Sequence, residues 1–207
     1  MKPFTKTEAL VLIIIFFVVF AFTFQGLLVS KRKARDAQRR SDLGMINDAL
    51  EDFGEDFGFY PPSEDGKIKA CATDNLKTTI EEMKKENIFD RNKYFDALTS
   101  CEWGKDSLKD LVRGGTVYLE VIPSDQSGNN GINYLYISDT KYYQLYSYLE
   151  GGVGETGYDK GIVKRNLLCG RNICSFGKAI HETPLDVSIE EYEKLQNEKL
   201  IQSQTKK

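Results

Sequence analysis

Histidine is almost absent from this sequence: His181 is the single one among 207 residues, and no nucleophile is patterned around it. The chain also lacks a Gly-x-Ser-x-Gly elbow, a phosphate-binding loop and a dinucleotide-binding fingerprint. A carboxylate pair in a cleft is the one catalytic arrangement left open, because acidic residues are numerous and scattered. We therefore expect that the protein is not an enzyme.

An excess of basic residues is absent as well. Lys and Arg number 28 against 31 Asp and Glu, and the net charge of −3 gives no case for a nucleic-acid partner. Charged residues are missing altogether from Ala9 to Ser30, whereas the rest of the chain has an ordinary soluble composition. This distribution excludes a multi-pass transporter and a plain cytosolic enzyme. It leaves enough chain for one modest domain and a tail.

The uncharged segment predicts a transmembrane helix over residues 9–30. These 22 residues reach about 33 Å as a helix, which is enough to cross the hydrocarbon core of a bilayer. A cleaved signal peptide is the alternative, but small residues would then follow the apolar region, and here Ser30-Lys31-Arg32-Lys33 follows. We expect a retained single-pass helix after a short N-terminal segment, residues 1–8. The positive charges beyond Ser30 would by themselves place the C-terminal part in the cytoplasm.

Residues 31–57 are predicted to continue the same helix as an amphipathic segment. The apolar residues repeat at spacings of 3, 4, 3 and 4, which puts them on one face. Gly58 and the pair Pro61-Pro62 end the helix. The apolar stripe consists of Leu43, Ile46, Leu50, Phe53 and Phe57, and the opposite face is expected to carry Arg39, Arg40, Asp42, Asp48 and Asp52.

Residues 58–180 are predicted to form a globular α+β head. The pattern favours short helices at residues 75–84 and 106–112, and then strands at residues 133–138 and 142–149 joined by a hairpin turn. We expect the long N-terminal helix to pack its stripe on this small antiparallel sheet. Residues 181–207 are a charged tail, in which Ser188 to Glu191 is a capping-box pattern for a helix to about Ile201, either loosely docked or free.

Two stretches of the sequence resemble a known family. The run Phe4-Thr5-Lys6-Thr7-Glu8, the apolar block and the run Ala34 to Leu43 are similar to the N-terminal half of type IV pilin-like proteins. The run Tyr118 to Asp125, followed by Asn133-Tyr134, resembles pseudopilins of type II secretion. The resemblance implies a structural subunit of a pilus-like or secretion-like filament, anchored in the membrane before assembly, with an extracytoplasmic head. Its partners would be other pilin-like subunits, the membrane assembly machinery and the bilayer.

The resemblance also implies a cleavage and assembly site at Pro3, Phe4 and Glu8. Family members have Gly immediately before the Phe, where the prepilin peptidase cuts, and this sequence has Pro3 instead. The matching Glu would meet the freed amino terminus of a neighbouring subunit, or else Glu8 is simply solvated beside Lys6. If the leader is retained, the alternative function is a non-assembling, membrane-anchored extracytoplasmic binding module.

Calcium is the one cofactor that the resemblance suggests. Related pseudopilin heads bind it in a loop after the last hairpin, and Gly151 to Asp159 lies at that place here. Glu155 and Asp159 could supply oxygen ligands, although two acids in a glycine-rich loop also describe a plain solvated loop. The run Asp125 to Asn130 has oxygen ligands at alternate positions, but it lacks the glycine and the distal Glu of a calcium loop and is predicted to be a turn.

The four cysteines all follow the apolar block. Cys169 and Cys174 enclose a turn-forming Gly-Arg-Asn-Ile, and Cys71 and Cys101 flank the helix predicted from residue 75. We predict disulfides Cys71–Cys101 and Cys169–Cys174, with a zinc site and free buried thiols as the alternatives. Disulfides persist outside the reducing cytoplasm, so their presence would overrule the positive charges and place the head outside.

Overall fold

The structure is a computed structural model that describes residues 5–181 and 183–205, and within these it leaves out the side chains at 21, 22, 25 and 203–205. Pro3 and Phe4 of the expected cleavage site lie outside the described residues. The chain is a mixture of helices and small antiparallel sheets, so the predicted α+β class is confirmed.

The first helix, α1, runs without interruption from Lys6 to Phe57 and contains 52 residues. Thr5 caps its start, because the Thr5 hydroxyl accepts the Glu8 N–H and the Glu8 carboxylate accepts the Thr5 N–H. Gly58 ends it at φ 73°, a left-handed conformation that glycine adopts without a steric penalty. At ~1.5 Å per residue the helix is about 78 Å long.

The expected membrane span forms the first part of α1. In the part of the chain that the structure describes, no helix is both long and apolar enough to cross a membrane. The expected span, residues 9–30, includes residues 21, 22 and 25, whose side chains lie outside the described ones.

The remaining elements form the head and the tail. They are β1 (Ser63–Glu64), β2 (Lys67–Ala72), α2 (Leu76–Glu86), α3 (Arg91–Asp96), β3 (Leu98–Ser100), β4 (Leu108–Lys109), β5 (Val117–Leu119), β6 (Leu135–Ser138), β7 (Tyr143–Ser147), α4 (Lys160–Lys164), β8 (Leu168–Cys169), β9 (Asn172–Ile173), β10 (Phe176–Ala179) and α5 (Ile189–Thr205). Two sheets have three strands each, in the orders β1-β2-β3 and β10-β7-β6. Two further strand pairs join β4 with β5 and β8 with β9, and all pairs are antiparallel.

The apolar stripe of α1 is the centre of the core. Leu43, Ile46, Leu50 and Phe53 are all fully buried, and Phe57 is partly buried against the same cluster. The second half of α1 contacts β5, β7 and β10, so it covers the sheet as the spacing predicts. Because the stripe buries four large side chains at about 1.5–3 kcal/mol each, the head depends on this helix for its stability.

The hairpin of β6 and β7 has the predicted turn. Ser138 pairs with Tyr143, and the Asp139 carboxylate accepts the N–H groups of Lys141 and Tyr142 at 2.9 and 2.7 Å. All five residues of β7 are buried because this central strand has the main core on one face and a smaller apolar cluster on the other.

Tyrosines fill much of the core, and most of them satisfy their hydroxyls inside it. The Tyr136 hydroxyl donates to the Pro61 carbonyl at 2.8 Å, and that of Tyr143 donates to the Asn47 side chain at 3.0 Å. Burial is the main cause that raises the pKa of these phenols, so they stay protonated. The pKa is raised in the same way for Tyr94, Tyr134 and Tyr146.

One predicted helix is wrong and another is confirmed. The segment predicted as a helix at 106–112 forms strand β4 and a turn instead, because the Asp110 carboxylate accepts the N–H groups of Val112 and Arg113 at 2.8 and 2.9 Å. Gly114, at φ 70°, then brings the chain back as β5. The helix predicted at 75–84 is α2, with Leu76, Ile80 and Met83 buried as expected.

The C-terminal helix, α5, is docked at its first turns. Ile189 is buried, the ring of Tyr192 meets Tyr142 edge-on at 5.4 Å, and Glu193 pairs with Lys141 at 3.3 Å. The Ser188 hydroxyl accepts the Glu191 N–H at 3.1 Å, which is the predicted cap. The helix continues beyond the predicted end at about Ile201 to Thr205, the last residue that the structure describes.

Changing Leu50 to Asp is expected to unfold the head, because it places an unpaired charge in a fully buried position, with a loss above about 4 kcal/mol. The matched control is Met45→Asp, which makes the same kind of change at an exposed position of the same helix. Thermal unfolding followed by near-ultraviolet circular dichroism compares the two. Equal midpoints for both variants would show that the stripe does not hold the head together.

Candidate functional site

The first candidate site is the start of α1, where Glu8 was singled out. The Glu8 carboxylate is exposed and accepts the backbone N–H of Thr5 at 2.8 Å. The hydrogen bond from the Thr5 backbone is the main cause that lowers the pKa of Glu8, and a bond from the Thr5 side chain adds to it. The carboxylate is therefore ionised at neutral pH. Among the described residues no cation forms an ion pair with Glu8.

The apolar part of α1 is unpartnered. Its large side chains from Leu10 to Val29 are between 45% and 65% exposed wherever they are described, and none belongs to either core cluster. Phe16, Phe20 and Phe24 stack along one face at ring separations of 6.2 and 5.8 Å. Contact between so much apolar surface and water is unfavourable, and an exposed apolar patch of this size often marks an interaction surface.

The second candidate site is a buried ionic cluster at the point where α1 enters the head. We call it the neck cluster, and it consists of Arg35, Asp36, Arg39, Asp125 and Glu150. Arg39 is its centre: Nε donates to Asp125 at 2.6 Å, and a terminal nitrogen donates to Asp36 at 2.8 Å. The other terminal nitrogen lies 2.9 Å from Glu150. The side chains of Arg39, Asp36 and Asp125 are 2%, 0% and 0% exposed.

The neck cluster also ties two loops of the head to the helix. The Asp36 carboxylate accepts the N–H groups of Glu150 and Gly151 at 2.9 and 2.8 Å, and Asp125 accepts the Ser127 N–H at 2.7 Å. The Arg35 guanidinium donates two hydrogen bonds to the Glu150 carboxylate. The loop after β7 and the loop after β5 are thereby fixed to one turn of α1.

The charges of the neck cluster stabilise each other despite burial. Burial alone would lower the pKa of Arg39, but the hydrogen bond and charge of Asp125, with Glu150 and Asp36, raise it above its ordinary value. The hydrogen bond from Arg35 is the main cause that lowers the pKa of Glu150, and burial opposes it. Two cations therefore pair with three carboxylates. Loss of an arginine or of a carboxylate from the cluster would leave a buried charge uncompensated.

The structure corrects the face predicted for two charged residues of α1. Arg39 and Asp42 were expected on the solvated side, and both are buried. Asp42 accepts the hydroxyl of Tyr134 at 2.5 Å and the amide of Gln38 at 2.6 Å. The sequence contains a signal for this: counted backwards from Leu43, the spacing of 4 and then 3 continues the stripe to Arg39 and Asp36. The buried face simply changes from apolar to ionic.

Asp125 belongs to the run that was predicted to be a turn. The turn is present, with a short 3₁₀ segment at Gly128–Asn130. The sequence pattern does not predict the burial of Asp125 or its bond to Arg39, because the partner lies 86 residues away along the chain. Local patterns carry no information on such a contact.

The two carboxylates considered for calcium have protein partners. Asp159 accepts the Gly161 N–H at 2.6 Å and caps α4, and Glu155 lies 3.5 Å from a guanidinium nitrogen of Arg40. Among the described residues, the one group of three potential metal ligands consists of Cys71, Cys101 and Asp106, and both of its cysteines are in a disulfide. Calcium binding at Glu155 and Asp159 stays a prediction.

The structure joins the cysteines in the same two pairs that the sequence predicts. Cys71–Cys101 links β2 to the residue after β3, and Cys169–Cys174 closes the β8–β9 hairpin. The first encloses a loop with a sequence separation of 30 residues, so it restricts the unfolded chain far more than the second. Cys101, Cys169 and Cys174 are buried.

A cleft on the head is the remaining candidate. It has a volume of about 520 Å³ and is lined by Trp103, Asn129, Asn133 and Ser124, among others. Trp103 is the single tryptophan of the chain and meets Tyr134 edge-on at 5.9 Å. An aromatic ring beside side-chain amides can bind a small polar ligand. His181 is exposed and does not line this cleft.

Comparisons with protein-family models, with curated proteins and with solved structures each find no match for this chain. The features that bear on its function are the exposed apolar half of α1, Glu8, the neck cluster and the two disulfides.

The neck cluster predicts a large effect of Arg39→Met, which leaves the buried carboxylates of Asp36 and Asp125 without their cation. We expect a loss of about 3–5 kcal/mol in the free energy of unfolding. Arg40→Met is the control, because Arg40 is partly exposed and contacts Glu155 at 3.5 Å, a pair that is expected to contribute less than about 1 kcal/mol. Denaturant unfolding in detergent measures both.

A double variant sharpens this test. Adding Asp125→Asn to Arg39→Met removes one of the stranded charges and is expected to recover part of the lost stability, as in a double-mutant cycle. Equal losses for Arg39→Met and Arg40→Met would show that the neck cluster does not hold the helix and head together.

Proposed function

We propose that this protein is a structural subunit of a pilus-like or secretion-like filament, held in the membrane by residues 9–30 before it assembles. The observation that carries the proposal is the division of one continuous helix, α1, into two halves. The second half is buried in the head, and the first half exposes large apolar side chains, none of which, where described, belongs to either core cluster. Such a half-helix needs partners that the chain itself does not supply.

Lipid is the partner of the unassembled subunit. Sixteen of the 22 residues from Ala9 to Ser30 are Leu, Ile, Val or Phe, and each favours insertion at a helix centre by roughly 0.3–0.6 kcal/mol. The upper bound of the sum, with every residue given the value of the helix centre, is about 5–10 kcal/mol. Lys31, Arg32 and Lys33 follow directly, so the apolar segment ends in three positive charges on the side nearer the head.

Other copies of the same half-helix are the partners after assembly. Packing between helices replaces lipid contacts without exposing apolar surface to water, and the Phe16, Phe20 and Phe24 ladder offers a continuous face for it. Glu8 would enter such a bundle as an ionised carboxylate, which is costly in an apolar environment unless a cation pairs with it. The freed amino terminus of a neighbour, as the family resemblance implies, supplies that cation.

The head is proposed to lie outside the cytoplasm. Two disulfides in a domain of this size favour an oxidising compartment. The neck cluster fits this arrangement, because it fixes the orientation of the head on α1 directly beyond the membrane segment.

A non-assembling, membrane-anchored binding module is the second candidate. The cleft beside Trp103 favours it, because it is a concave site with an aromatic ring and several polar groups. Retention of Met1 to Pro3 in the native protein would support this candidate, whereas a mature chain that begins at Phe4 would support assembly. Amino-terminal sequencing of the native protein distinguishes them.

Changing Glu8 to Ala tests the assembly role. We expect the variant to stay in the membrane and to be lost from filaments by tenfold or more, because its carboxylate can no longer pair with a cation. The control is Asp52→Ala, which removes an exposed acid from the same helix. Sheared filaments and membranes are compared by immunoblot, and normal incorporation of Glu8→Ala would remove the charge-pairing role.

A further inference from the structure

The basic residues that follow the apolar segment fall into two groups. Those on the head side are engaged: Arg35 pairs with Glu150, Arg39 belongs to the neck cluster, and Arg40 contacts Glu155. The three that come first, Lys31, Arg32 and Lys33, have no ion pair among the described residues of the chain. We call these three residues the basic collar.

The basic collar surrounds the helix rather than forming a patch on one side. Successive residues of an α-helix point about 100° apart, so three in a row face three directions. Glu150 of the head, which lies against this part of α1, already pairs with Arg35 and Arg39. Within residues 5–181 and 183–205, no carboxylate forms an ion pair with the collar.

Arg32 adds an independent observation. Its Nε is buried and has no hydrogen-bond partner among the described atoms. A buried donor without an acceptor is unfavourable by about 1–3 kcal/mol. Because the residue as a whole is only partly buried, a rotation of the side chain is enough to bring this N–H to an acceptor outside the protein.

The depth of the collar indicates which acceptor that is. Val29 is the last apolar residue of the segment, and at ~1.5 Å per residue the collar lies about 3–6 Å beyond it. The polar headgroup layer on each side of a bilayer is about 5–8 Å thick. If residues 9–30 span the membrane, the three cations lie among lipid phosphates, and the head begins one turn further on at Arg35.

We propose that the basic collar binds the phosphates of anionic phospholipids, with Arg32 as the ligand that makes paired hydrogen bonds and the two lysines as point charges. This inference rests on the proposed membrane anchoring and adds a lipid class to it. The guanidinium fork matches a phosphate geometrically, and each cation near an anionic surface contributes about fivefold to binding. The collar thus retains the unassembled subunit at a fixed depth with its head above the headgroups.

The test measures which lipid stays with the full-length protein. Native mass spectrometry is performed from detergent micelles that contain equal amounts of phosphatidylglycerol and phosphatidylcholine. The unaltered chain is expected to keep phosphatidylglycerol in clear preference. The triple variant Lys31→Gln, Arg32→Gln, Lys33→Gln is expected to lose at least about fivefold of that preference. Arg32→Lys keeps the positive charge but removes the guanidinium group. This variant is expected to lose part of the preference for phosphatidylglycerol.

A matched control changes the same number of unpaired cations far from the membrane. Lys77, Lys84 and Lys85 of α2 are exposed and have no ion pair among the described residues, and their change to Gln gives the same net charge as the collar variant. This control is expected to keep the phosphatidylglycerol preference. Equal loss in both triple variants, or no preference in the unaltered chain, would overturn the proposal.

A competition experiment distinguishes binding of a lipid headgroup from binding of any free anion. Excess inorganic phosphate is expected to leave the phosphatidylglycerol adducts in place, and their complete displacement would show a general anion site instead. Because dispersed subunits are measured, a failure of filament assembly leaves this readout unaffected. Conversely, equal binding of the two lipids would contradict the collar and leave anchoring by residues 9–30 intact.

Discussion

The buried guanidinium of Arg39 connects three stretches of chain that are distant in sequence: the helix α1, the loop at Asp125 and the loop at Glu150. The apolar stripe further along α1 packs in the core of the head. The hydrogen bonds of Arg39 add a contact of fixed direction at the point where the helix enters the head. The head is therefore held on α1 by an apolar contact and by an ionic one.

Much of the fold can be predicted from local patterns. The limits of α1 follow from Thr5 and Gly58. Its buried face follows from the spacing of 3 or 4 residues between successive apolar residues, which puts them all on one side of the helix. The β6–β7 hairpin is visible in its alternation and its turn. These features depend on residues within a few positions of each other, which is the range over which helix and turn preferences act.

The errors have two causes, a local side-chain contact in one segment and long-range contacts in another. The segment after residue 106 looks helical by its apolar spacing, but the Asp110 side chain takes the N–H groups that a helix would use. Arg39 and Asp42 look solvated because they are charged, yet partners more than 80 residues away satisfy them. A polar residue that continues an apolar stripe is the clue that was available, since its position fixes where it points and leaves only its partner unknown.

Whether the head lies outside the cytoplasm is tested most directly by the state of the four cysteines in the native protein. Cells are lysed with a thiol-trapping alkylating reagent, and the purified protein is digested and mapped without reduction. An external head on an anchored α1 predicts Cys71 linked to Cys101, Cys169 linked to Cys174, and no alkylated cysteine. Four freely alkylated cysteines would contradict the external head, and with it the anchored subunit proposed for this chain.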